Sequence, residues 1–151
     1  MQLSSPAWKA GEPIPKKYTC DGEDRSPPLR IRGAPAGTAA FALVVTDPDA
    51  PSGTFVHWTL YDIPGRALGL PEGLPQDPTL PDGSRQGKTS WGRVGYGGPC
   101  PPGGRHRYFF RLHALKAPLR APPGLTAEAL EKALSPLTLE VAELMGTYSR
   151  P

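Results

Sequence analysis

Apolar runs in this chain are short, and each ends at a turn signal. FALVV (41–45) runs into TDPDAPSG, TFVHWTLYDIP (54–64) closes on Pro64-Gly65, and RYFFRLHAL (107–115) stops before Ala117-Pro118. Proline lacks the N–H that a helix or sheet interior requires, and glycine supplies the bends. This punctuation admits short strands joined by turns and leaves little room for long helices. The chain carries Gly 18 and Pro 21 in 151 residues, a fraction that can signal disorder. Because both types are spread between apolar runs, they are read as turns between strands.

Periodicity supplies the elements. FALVV reads as a buried strand entering a tight loop. In 54–64, Phe55, His57, Thr59 and Tyr61 are expected on one face and Val56, Trp58 and Leu60 on the other. In 107–115, Tyr108, Phe110 and Leu112 alternate with Arg107, Phe109, Arg111 and His113, so His113 is expected to be solvated beside the arginines. LRIRG (29–33) suits a short strand. LTAEALEKALS (125–135) is the one clear helix, with Thr126 as N-cap, Glu128 in the first turn and an apolar stripe of Leu130, Ala133 and Leu134. TLEVAELMGTYSR (138–150) fits either a further helical turn or a final strand. Residues 64–104 are loop by composition, long for a compact domain. The expectation is a mostly-β, sandwich-like fold over residues 1–151 as a single domain. A chain of this length buries roughly 68–70% of its unfolded surface and needs no metal or disulfide to build a core.

A net charge of +3 is mildly basic, but the arginines are scattered singly, without the clustered stripe of a nucleic-acid binder. The sequence has no Asn and little Gln, which with its many prolines fits adaptation to heat. MQLSSPAWKAGEPIP has neither the basic nor the apolar region of a secretory signal, and no apolar run reaches membrane-span length. A cytoplasmic location is expected.

Candidate chemistry gathers at strand ends. Asp47 and Asp49, two apart in DPDAP, would share a side on extended backbone, although taken alone a plain turn explains them better. His106 and Tyr108 share a face at the rim of GYGGPCPPGG (95–104), and with His57 and Asp47 they could form a small polar pocket. Backbone N–H groups of the glycine loop could face an anion there. The spacing matches no zinc signature, so a metal is not expected. Cys100, His106 and Asp47 are the residue types of a nucleophile, base and orienter, which leaves a Cys-His hydrolase as the enzymatic alternative, though nothing near Cys100 would lower its pKa. Cys20 and Cys100 are equally compatible with two free thiols and with a bridge closing a loop of about eighty residues.

DPDAP (47–51), His57-Trp58 and GYGGPCPPGGRHRYFF (95–110) together resemble the phosphatidylethanolamine-binding protein family, also called Raf kinase inhibitor-like proteins, and its bacterial and archaeal branch in particular. YTCDGEDRSPPL (18–29) and ELMGTYSR (143–150) extend the resemblance to nearly the whole chain. It implies two packed antiparallel β-sheets with one or two short helices, and a non-enzymatic pocket for phosphate, phosphoethanolamine-like or carboxylate groups. Carried over, its ligand-binding residues are Asp47, Asp49, Pro51, Phe55, His57, Pro102, His106 and Tyr108, with His57, His106 and Tyr108 donating to the anion. The resemblance also suggests a cis Ala50–Pro51 bond, no cofactor, a kinase or serine-protease target as an alternative role, and a homodimer. Departures from the family pattern fall at 22–29 and 87–92, where asparagines are lost.

Overall fold

A computed structural model describes residues 1–151. The elements are β1 (Gln2–Ser4), β2 (Leu29–Arg32), β3 (Ala40–Asp47), β4 (Phe55–Pro64), β5 (Gly69–Leu70), β6 (Arg85–Gln86), β7 (His106–Leu115), α1 (Ala127–Leu134) and β8 (Thr138–Tyr148), with a 3₁₀ turn at Lys16–Tyr18. Two antiparallel sheets result, one ordered β1-β2-β5 and the other β6-β4-β3-β7-β8. The fold is mostly β, as the patterning indicates.

The main core lies between the sheets. Leu3, Leu29, Ile31 and Leu70 of the small sheet meet Phe41, Leu43, Val45, Trp58, Phe110 and Leu112 of the large one. The unbroken apolar run of β3 is explained by its central place, because Ala40, Ala42 and Val44 are buried on the opposite face under Leu130 and Leu134 of α1. Thr126 caps that helix by accepting the Ala129 N–H at 3.2 Å. The ambiguous C-terminal segment is a strand: β8 pairs with β7 from His106↔Tyr148 to Leu115↔Thr138 and buries Ala142 and Leu144. Its helix-forming residues are overridden by that ladder. The stretch 64–104 begins on the last residue of β4 and otherwise contains only the two-residue strands β5 and β6.

Two expectations are corrected. His113 is half-buried, with Nδ1 3.2 Å from Thr138 Oγ1, and burial pulls its pKa down. The simple alternation of β4 also fails. Val45 faces Trp58 while the next residue, Thr46, faces Val56, so His57 is an extra residue in a β-bulge. The bulge turns His57 onto the inner face shared by Trp58 and Tyr108, and only Thr59 and Tyr61 stay on the α1 side.

Candidate functional site

At one end of the sandwich the inner faces of β3, β4 and β7 run past the small sheet and open into a cavity of about 590 Å³. Asp47, Phe55, His57, His106 and Tyr108 line it from the strands, and Pro51, Trp91, Arg93, Cys100 and Pro102 line it from loops.

Each side chain is held by local chemistry. Asp47 ends β3, and its Oδ1 accepts the Asp49 N–H at 2.8 Å, so the carboxylate itself folds the exit turn. Its Oδ2 lies 2.7 Å from His106 Nδ1, an almost fully buried pair. Asp49 does not join the cavity. It turns outward and accepts the Arg107 backbone N–H at 2.9 Å, Nε at 2.8 Å and Nη2 at 2.8 Å. That guanidinium holds the Asp49 carboxyl at about 2. The expectation that Asp47 and Asp49 face one side fails because the Asx turn rotates the backbone between them. The Ala50–Pro51 bond is not cis, as no peptide bond in the chain is. The Gly53 N–H bonds the Ala50 carbonyl at 3.1 Å, which puts Pro51 at the second position of a turn, where a trans proline fits; a cis proline belongs at the third.

His57 is fixed from the opposite loop. Its Nδ1 is 2.8 Å from the Gly97 carbonyl oxygen, and the Gly97 N–H donates back to the His57 carbonyl at 3.0 Å. Burial lowers the His57 pKa. Three rings surround it, Trp91 and Tyr108 edge-on and Phe55 tilted, with the centroids of Phe55, Trp91 and Tyr108 at 5.1, 5.1 and 5.2 Å. Tyr108 is 1% exposed, and its hydroxyl has no hydrogen-bond partner. Burial first, and the Asp47 carboxylate second, push that hydroxyl's pKa far up. The Cys100 N–H faces the hydroxyl oxygen, and the Asp47 carboxylate lies close by.

The glycine loop is clamped by the segment before β2. Cys20 and Cys100 form a disulfide, the Cys20 N–H bonds the Pro99 carbonyl at 3.1 Å, Gly98 N–H bonds Asp24 Oδ1 at 2.8 Å, and Tyr96 Oη bonds the Tyr18 carbonyl at 2.7 Å. The bridge removes the Cys-His hydrolase reading, since Cys100 has no free thiol. No cluster of three or more His, Cys, Asp or Glu residues is placed to hold a metal.

Sequence reasoning missed three charged or aromatic side chains at the cavity: Trp91, Arg93, stacked 4.7 Å over the Trp91 ring, and Asp24. Trp91 is 42% exposed. A tryptophan inside the Gly-rich stretch GKTSWGRVG was the available signal.

Comparison with known proteins agrees with this architecture. The family model described as phosphatidylethanolamine-binding protein matches residues 4–149. A UPF0098 protein of Aquifex aeolicus is 46% identical over 99% of this chain and 89% of its own length. One from Methanothermobacter thermautotrophicus is 46% identical over 99% of both chains. The crystal structure of the phosphatidylethanolamine-binding protein homolog CT736 from Chlamydia trachomatis superposes with a TM-score of 0.92 at 38% identity, covering 99% of this chain and 97% of that one. E. coli YbcL superposes with a TM-score of 0.92 at 34% identity, covering 99% and 98%. With its two antiparallel sheets and a match over nearly its whole length, the chain belongs to the phosphatidylethanolamine-binding protein family.

Proposed function

We propose that this chain is a non-enzymatic ligand-binding protein whose cavity takes a small phosphorylated or carboxylated group. The observation that carries this is the buried Tyr108 hydroxyl, left without a well-formed hydrogen bond at the cavity wall, faced by the Cys100 N–H and next to a histidine braced by Asp47. A buried donor with no acceptor is costly, and an anionic oxygen supplies the missing partner. The test is calorimetric titration with phosphate and phosphoethanolamine on wild type and His106→Ala. The variant is expected to lose at least about tenfold in affinity, in line with a charge-assisted hydrogen bond. Equal affinity in both proteins would remove the cavity from this role.

The alternative role, inhibition of a kinase or protease, draws on the exposed rim of Pro51, Trp91, Arg93 and Pro102. A captured partner that competes with phosphate would favour it. No helix is long and apolar enough to cross a membrane. A cytoplasmic location with an intact Cys20–Cys100 bridge fits a heat-adapted organism, where intracellular disulfides persist.

A further inference from the structure

A second cavity lies on the other side of the large sheet. There α1 covers Ala40, Ala42 and Val44 of β3, and between its C-terminal half and β7 the surface sinks into a hollow of about 380 Å³. Small-molecule sites run from roughly 300 to 1,000 Å³. Strand register sets Arg111 beside Val44 and His113 beside Ala42, and Thr138 at the start of β8 closes the hollow. Three polar side chains in its wall have bonding capacity that the fold does not use. The Thr138 hydroxyl donates to the Leu134 carbonyl at 2.8 Å, so its one hydrogen is spent and its oxygen accepts from His113 Nδ1 at 3.2 Å. The hydrogen of the neutral ring is therefore on Nδ1, and Nε2 is left as a lone pair. Burial, and the Arg111 charge after it, keep that ring neutral. Arg111 is braced by Nε on Glu143 Oε1 at 2.9 Å and by stacking 4.8 Å over the Phe109 ring, which leaves both Nη groups free. Glu131 reaches the hollow from α1 without an ion pair, while Lys132 beside it pairs with Glu128.

A lone anion bound here would be repelled by Glu131, and a lone cation by Arg111. A molecule that carries both charges close together meets neither penalty. We propose that this hollow binds a free aliphatic amino acid, with its carboxylate on the Arg111 Nη groups, its ammonium donating to His113 Nε2 beside Glu131, and its side chain on Val44 and Leu134. A guanidinium is the planar fork that a carboxylate engages through two parallel bonds. An ammonium has three donors and no acceptor, so it suits a ring nitrogen that carries no hydrogen. The hollow shares no residue with the cavity at the end of the sandwich, so either site can fail without the other.

Three probes with one aliphatic stem separate the parts: leucine, its deaminated acid 4-methylpentanoate, and its decarboxylated amine isoamylamine. Each is titrated at neutral pH into protein with nitrogen-15-labelled histidine. Leucine is expected to shift the His113 signals saturably at millimolar concentration and to leave those of His57 and His106 in place. It should bind about tenfold or more tightly than either fragment, the size expected when a hydrogen bond to a charged group is lost. Glu131 and Arg111 are both exposed, so Glu131→Gln and Arg111→Gln should fold. The first should bring leucine down toward the affinity of 4-methylpentanoate, and the second toward that of isoamylamine. Nitrogen-15 shifts of the free protein should place the His113 hydrogen on Nδ1, a readout that needs no variant. The proposal is overturned if His113 shows no saturable shift, if leucine binds no more tightly than its fragments, if neither variant weakens it, or if His113 carries its hydrogen on Nε2.

Discussion

Asp49 lies outside the cavity and still governs it, because its carboxylate holds Arg107 by both backbone and guanidinium, one residue from His106. Its carboxyl sits at about 2 in the fold, below the ordinary value near 3.9. A depressed carboxyl contributes stability that is fully present above the unfolded value and is lost as pH falls through the folded one. The contribution should therefore disappear between about pH 4 and about pH 2. Asp49→Asn is expected to melt at a lower temperature than wild type at neutral pH and to converge with it near the acid end of that window. Thermal melts across the acid range measure this, and parallel curves for the two proteins would show that Arg107 is held by something else. Asp47 carries a different load, with one oxygen on its own turn and the other on His106.

At the scale of elements, glycines set the cavity wall by permitting close approach as much as by turning the chain. A Cβ on Gly98 would strike the Tyr18 carbonyl and the Asp24 carboxylate, and one on Gly97 would strike the Trp91 ring. Gly98→Ala meets backbone that cannot move aside, and it is expected to cost about 2–3 kcal/mol in denaturant unfolding. Gly97→Ala meets a side chain that is partly exposed, so it should displace Trp91, visible as a change in tryptophan fluorescence, at a smaller cost in stability. The elements themselves were unequally legible. The strands β3 and β7 could be read directly, one from an unbroken apolar run and the other from strict alternation. The helix α1 was marked by its cap. For β8 the residues Leu139 to Met145 carry helix and strand signals together, and only pairing with β7 decides between them. The bulge at His57 could not be read, since an extra residue exists only relative to the strand opposite. The turn after Asp47 could be read, but the outward direction of the Asp49 side chain depends on Arg107, a partner 58 residues away.

In the molecule as a whole, the Cys20–Cys100 bridge spans a separation of 80 residues. Closing such a loop restricts the unfolded chain by about 4.5 kcal/mol in the entropy model. Reduction is therefore expected to lower the melting temperature by about 10 °C or more, measured by calorimetry with and without reductant. It should also weaken anion binding, because the bridge holds the Cys100 N–H against Tyr108. An unchanged melting temperature would mean that the hydrogen bonds of Cys20, Gly98 and Tyr96 suffice to clamp the loop. Strand-end placement alone suggests a pocket of Asp47, His57, His106 and Tyr108, and the family resemblance joins Pro102 to them and gives the pocket a ligand class. Asp24, Trp91 and Arg93 fall where the chain departs from that pattern or beside it, so their convergence had no local mark.

The same stitching has a kinetic side. The cavity draws on the segment before β2, the ends of β3 and β4, the glycine loop and the start of β7, so no contiguous piece of the chain contains it. Contacts this distant in sequence close late in folding and slowly, since loop-closure entropy must be overcome before they contribute. A phosphate ester added during refolding should accelerate nothing until the sheets have docked, and its binding would then report the last step of assembly.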